Sequence, residues 1–107
     1  MSSKIVNAHT TAESVFTAAN NKVERIRGIQ VDHRGIAAVQ LTLQDSFTTT
    51  ATVAAAAAAV VENRKIWSVM PGANYTWMDD ERSIKILGEC LVDSDVIDAD
   101  VEITILW

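Results

Sequence analysis

Val39-Gln40-Leu41-Thr42-Leu43-Gln44 alternates apolar and polar residues without exception. Successive side chains of a strand point to opposite faces, so this pattern describes a strand with one face in a core and one in water. Val101-Glu102-Ile103-Thr104-Ile105 repeats the pattern and runs on to Trp107. A chain ending on Ile-Leu-Trp has to bury that end, in its own sheet or against a neighbour. Upstream, β-branched residues at Val23, Ile26, Ile29 and Val31 mark a third strand. Gly28 within it signals a bulge or a close backbone approach. Asp32-His33-Arg34-Gly35 reads as a hairpin turn, which would pair Ile29 and Val31 with the start of the strand at Val39. Asp45-Ser46 ends that strand, and a threonine-rich stretch with β preference follows over residues 47–53. Residues 66–70 form another strand, stopped by Pro71-Gly72. Tyr75 and Trp77 alternate in the next, and residues 84–92 supply one more, interrupted by Gly88. Residues 93–98 are a loop.

The sum is about seven short strands separated by turn signals, which predicts an all-β domain, a small β-sandwich or jelly roll. No repeating β-α alternation occurs, which argues against a doubly wound fold. Residues 1–21 read as an N-terminal arm and residues 22–107 as the sandwich. Within the arm, Thr10 and Glu13 have capping-box spacing for a short helix over residues 11–19. Ser14-Val15-Phe16-Thr17 reads equally well as a strand, and Asn20-Asn21 as a turn. Residues 54–61, six alanines followed by two valines, stay open. Propensity favours a short helix, whereas an Ala-lined strand or loop fits the β context.

A chain of 107 residues is the size of one domain. It is 49% hydrophobic but only 6% aromatic, and alanine buries little area, so the core is thin and association with other chains is favoured. The net charge of −5 and scattered basic residues argue against a nucleic-acid ligand, which needs clustered Lys and Arg. Only Arg25 and Arg27 form a local pair, on one strand face. No apolar run approaches a membrane span, and the N-terminus lacks the features of a signal peptide. The expectation is a soluble protein made in the cytosol. A single cysteine, Cys90, precludes an intrachain disulfide.

No catalytic constellation emerges, nor any cofactor motif. His9, in the arm, and His33, in the expected turn, have no metal-ligand spacing and read as exposed polar residues. Cys90, in an apolar strand with no basic neighbour, reads as a buried structural thiol. Asp93, Asp95, Asp98 and Asp100 form the only ligand-like cluster. It lacks the glycine and glutamate of the helix-loop-helix calcium motif and reads as a solvated loop. Trp67, Tyr75, Trp77 and Trp107 supply core bulk or an interface. The candidate interface is Tyr75, Trp77, Ile103, Ile105 and Trp107. The competing reading is a carbohydrate-binding module built on Tyr75, Trp77 and nearby acids.

Arg25-Ile26-Arg27-Gly28-Ile29, then Val69-Met70-Pro71-Gly72, then Asp98-Ala99-Asp100-Val101 together resemble the small β-sandwich virion proteins of tailed bacteriophages. Those proteins carry an R-x-R-G-I strand near the start, a P-G turn before the later strands and a D-A-D-V-like strand at the end. The likeness spans residues 22–107 loosely; the alanine run and Asp79-Asp80-Glu81 depart from it. It implies a non-enzymatic particle protein, first of all a capsid decoration (cement) protein. Such a protein would be a homotrimer bound to the major capsid protein or other virion proteins, at the capsid surface. A tail or neck adaptor is the second role implied.

Overall fold

The strand patterns resolve into a ladder in which the first strand pairs with the last, the second with the second-last, and so inward. The computed structural model describes residues 2–19, 22–48 and 59–107. Among them are ten strands and no helix: β1 (Ser3–Ala8), β2 (Glu13–Thr17), β3 (Glu24–Arg25), β4 (Gly28–His33), β5 (Val39–Thr48), β6 (Ala59–Val69), β7 (Asn74–Met78), β8 (Lys85–Ile86), β9 (Glu89–Ser94) and β10 (Asp98–Leu106). The antiparallel pairs β1·β10, β2·β9, β3·β8, β4·β7 and β5·β6 are nested one inside the next. This single long ribbon folds over on itself, and two further ladders, β10·β4 and β9·β5, fuse it into two sheets. Their strand orders are β1-β10-β4-β7 and β2-β9-β5-β6. With the two-residue strands β3 and β8 set aside, this is the eight-stranded jelly roll, two antiparallel sheets stacked face to face. The chain is thus an all-β sandwich of jelly-roll topology.

Inward positions follow the period-two pattern. In the first sheet, Val6, Ile103, Val31 and Tyr75 stand in register across four strands, as do Lys4, Ile105, Ile29 and Trp77 in the next row. Leu41, Leu43 and Val92 answer them from the second sheet, all buried. Each such aliphatic side chain contributes roughly 2 kcal/mol by leaving water, so these rows hold the sandwich shut. Residues 3–17, read as part of an arm, supply a margin strand to each sheet. The segment around Thr10 and Glu13 takes the strand form rather than the helix, because Phe16 and Glu13 join the β9 ladder.

Three further expectations are corrected. The segment after β4 is not a hairpin: β4 and β5 lie in different sheets, and the chain crosses between them. Local turn chemistry is alike in both cases, so sequence could not separate them. His33 is accordingly the last residue of a strand and 1% exposed. Its Nδ1 accepts from Gly35 N–H at 3.0 Å, which leaves Nε2 to donate to the Ala37 carbonyl at 2.6 Å. The strand over residues 84–92 splits at Gly88 into β8 and β9, which belong to different sheets. The strand count therefore rises above about seven. The Pro71-Gly72 turn forms as read, with Ala73 N–H bonded to the Met70 carbonyl and Gly72 at φ 77°, a left-handed value suited to glycine. Of the alanine run, Ala59 opens β6; residues 54–58 lie outside the described residues, as do residues 49–53 and the Asn20-Asn21 turn.

The third correction concerns Asp45, read as a strand breaker. β5 runs straight through it to Thr48, with Asp45 fully buried. Its carboxylate accepts from Leu87 N–H at 2.9 Å and Gly88 N–H at 3.0 Å, and from the Arg64 guanidinium at 2.7 Å. A carboxylate satisfied on both oxygens tolerates burial that an unpaired one would not. Arg64 reaches it from a β-bulge: Leu43 pairs with Lys65 and Gln44 with Asn63, leaving Arg64 as the extra residue. Gly88 is fixed by steric necessity, since a Cβ there would lie 2.1 Å from the Ser46 carbonyl oxygen.

Replacing Asp45 by Asn should destabilise the fold by about 3 kcal/mol, because Arg64 loses the buried one of its two carboxylate partners and one N–H faces an amide. Gly88→Ala should destabilise it by about 2 kcal/mol or more, since the obstacle is backbone. Urea denaturation followed by tryptophan fluorescence checks both.

Candidate protein interface

The five residues of the expected interface do not form one patch. Ile103 and Ile105 are 0% exposed. β10 is an interior strand flanked by β1 and β4, so its inward positions fill the protein's own core. The C-terminal end is buried in its own sheet, and these two residues drop out as contact residues. Trp107 is half-buried beside β2, stacked on Phe16 with ring centroids 4.3 Å apart, and its N–H bonds the Ser2 carbonyl at 2.9 Å.

Tyr75 and Trp77 sit elsewhere, on the marginal strand of the first sheet, with their side chains on the inner face. Opposite them is β6, the marginal strand of the second sheet. Tyr75 stacks on Trp67 at 6.2 Å, and the Lys65 ammonium lies 4.6 Å from the Trp77 ring centroid. Such a cation–π contact contributes on the order of 1 kcal/mol. These two contacts close the β6/β7 side of the sandwich. The rings are committed to each other rather than displayed as a flat platform. The Trp67 indole nitrogen is buried there without an acceptor among the described residues.

Around this seam lies what sequence reading missed. Val61 and Ile66 project from the outer face of β6, 58% and 55% exposed, with Met70 at the end of β6, 63% exposed; Met78, 53% exposed, lies on the outer face of the other sheet. A signal for Ile66 was present: Ile66 and Trp67 are adjacent, and neighbours on a strand cannot both face the core. Val61 was hidden because the bulge at Arg64 changes which residues face outward. Glu62 belongs to the same strand and contacts Arg64 at 2.9 Å.

Elsewhere Ile5, Val23, Ile36, Leu87 and Ile97 are exposed at separate places, and the two surface depressions are lined mainly by polar residues. A shallow depression of about 370 Å³ on the outer face of the first sheet is lined by Gln30, Asp32, Asn74, Thr76, Glu102 and Thr104, among others. Arg34 bridges two of its acids, 2.6 Å from Glu102 and 3.5 Å from Asp32. A second, of about 310 Å³, gathers Arg25, Arg27 and Arg82, although Arg27 lies outside the two-residue strand that holds Arg25. The turn beside it is shaped by Asp79, whose carboxylate accepts from the Ser83 hydroxyl and N–H, and those bonds hold its pKa below the usual carboxylate value. The acids of residues 93–100 serve backbone geometry: Asp95 accepts from Gln40 N–H and Asp98 from Asp100 N–H. Among the described residues no three His, Cys, Asp or Glu side chains come together as a metal would require.

With the geometry in place, comparison with known proteins adds nothing further: no family model matches the chain, and neither a curated protein nor a solved structure does.

Cys90 faces the core beside Asp45, its cross-strand neighbour on β5. Burial, reinforced by the Asp45 charge, pushes its pKa up to about 12. At pH 8 the native thiolate fraction is then on the order of one in ten thousand. Iodoacetamide should leave the native protein unmodified and label it in 6 M guanidinium. Because the folded state keeps a proton that the unfolded thiol loses near pH 9, stability should fall as pH rises from about 9 towards 12. At pH 10 the loss should be about 1 kcal/mol, and it should be absent in Cys90→Ala.

Proposed function

We propose that this protein is a non-enzymatic structural component of a bacteriophage particle, a capsid decoration protein that associates with itself and with the shell. The observation that carries the reading is the apolar outer side of β6, where Val61, Ile66 and, at its end, Met70 are each more than half exposed. Clustered apolar exposure rimmed by polar residues is what protein contacts use. The jelly roll is compatible with this role, being common in capsid proteins, but it also serves lectins, so it supports the reading only by analogy. The strand motifs shared with tailed-phage virion proteins point the same way. So does the net charge of −5, which suits a protein that does not touch packaged DNA.

One observation favours a carbohydrate-binding module instead. The depression beside Gln30, Asp32, Asn74 and Glu102 offers amides and carboxylates suited to hydroxyl groups. Against it, Tyr75 and Trp77 turn inward, so no ring lies on that face for a sugar to stack on.

Mixing the purified protein with undecorated expanded phage heads and pelleting them should bring it down in fixed proportion to the major capsid protein. Val61→Asp or Ile66→Asp should reduce that fraction about tenfold, with the circular dichroism spectrum unchanged. Absence of co-sedimentation, together with saturable quenching of tryptophan fluorescence by a sugar panel, would replace this reading with the carbohydrate one.

A further inference from the structure

Four strands stand at sheet margins: β1 and β7 in one sheet, β2 and β6 in the other. Three are short, at six, five and five residues, and β1 and β2 are interrupted by register shifts. β6 carries a shift of its own, the bulge at Arg64, but differs in length: eleven residues long, it pairs along one side with β5 and, among the described residues, with nothing along the other. A long open margin of this kind is a template for another strand.

We propose that the open margin of β6 is covered by β6 of a second copy of this chain, running antiparallel about a twofold axis between Asn63 and Arg64. The register follows from side-chain chemistry. With the axis there, Val61 meets Ile66 of the second copy and Glu62 meets its Lys65. Symmetry makes each contact twice, as an isologous interface requires. Both apolar residues are more than half exposed in the isolated chain. Cross-strand apolar and opposite-charge pairs are the units that stabilise a sheet.

The bulge at Arg64 is what makes this pairing stereochemically consistent. In an uninterrupted strand, residues 61 and 66 would face opposite sides. Here Val61 is opposite Ser46 and Ile66 opposite Thr42, so both lie on the outer face; Glu62 is opposite Asp45 and Lys65 opposite Leu43, so both lie on the inner face. Away from the axis, outer residues therefore meet outer ones and inner meet inner; at the axis itself Asn63 meets Arg64, the extra residue of the bulge. A one-residue slip mixes the faces. Moving the axis to bring Ile66 against Asn63 sets Lys65 against Arg64, two like charges. A second copy is thus the occupant for which β6 is complementary in charge and in apolar pairing.

This pairing rests on reading the β6 margin as a protein-binding surface, and it concerns self-association alone. Sedimentation velocity of the full chain over a wide concentration range tests it. The wild type should be a dimer. Glu62→Lys and Lys65→Glu, each placing like charges opposite one another twice, should each weaken the dimer by about tenfold or more. Mixing the two single variants should restore a heterodimer, because each supplies the charge the other lacks. The double swap, E62K/K65E, should restore the homodimer. A wild type that stays monomeric, or forms trimers, would overturn the pairing. So would dimers indifferent to both reversals, or single variants that fail to rescue each other. Pelleting with phage heads is read separately, so loss of shell binding by a dimer that obeys the charge swap would reject the particle role and leave the pairing standing.

Discussion

The buried Asp45 carboxylate ties together parts of the chain that sheet hydrogen bonds alone leave independent. It sits on β5, takes two N–H donors from the β8–β9 link, and receives Arg64 from the bulge in β6. A carboxylate at this depth is unfavourable unless every strong acceptor position is used. The fold is therefore obliged to bring Leu87, Gly88 and Arg64 to fixed places around it. Gly88 admits no side chain because the β5 backbone passes against it. Arg64 adopts the bulge whose displaced phase governs the outer margin of β6. Burial keeps the neighbouring Cys90 thiol protonated and inert, and the Asp45 charge reinforces it. One ion-pair network thus fixes the strand path and sets the phase of the exposed margin.

Much of the fold was legible because its signals are local. The alternation in residues 39–44 and 101–105 predicted β5 and β10, and Pro71-Gly72 predicted the turn that forms. Cys90 was read as buried from its apolar neighbours, and it is. What failed was partnership. Asp45 looks like a breaker until its partners Arg64, Leu87 and Gly88, far along the chain, are known, and His33 looks like a turn residue until its ladder partner Val101 is. The hairpin assumed after β4 is in fact a crossover, since period-two patterning fixes which face a strand buries but not which sheet it joins. Ile103 and Ile105 were assigned to an interface because a thin core seemed to need outside cover. The sandwich covers them itself, using β1, a strand that the arm-like composition of the first residues concealed.

The aromatic residues show how a surface reading changes once geometry is known. Trp67, Tyr75, Trp77 and Lys65 close one side of the sandwich by stacking and cation–π contact. What they leave outside is aliphatic: Val61, Ile66 and the two methionines. A margin of this chemistry suits a flat, apolar contact with another sheet better than recognition of a small polar ligand.

The nested ladder also sets an order for how the molecule is put together. Its innermost rung, β5 with β6, joins neighbouring segments, whereas its outermost joins Ser3 to Leu106 at opposite ends of the chain. Loop-closure entropy rises with the length of chain enclosed, so each rung is cheapest to form once the one inside it exists. The ribbon is in effect a zipper with its slider at the β5–β6 hairpin, and a domain so dominated by non-local pairing is expected to fold slowly for its size. While it zips, the eleven-residue edge of β6 is among the first structures made and the last to gain shelter, so the strand best suited to recruit a neighbour is exposed throughout assembly.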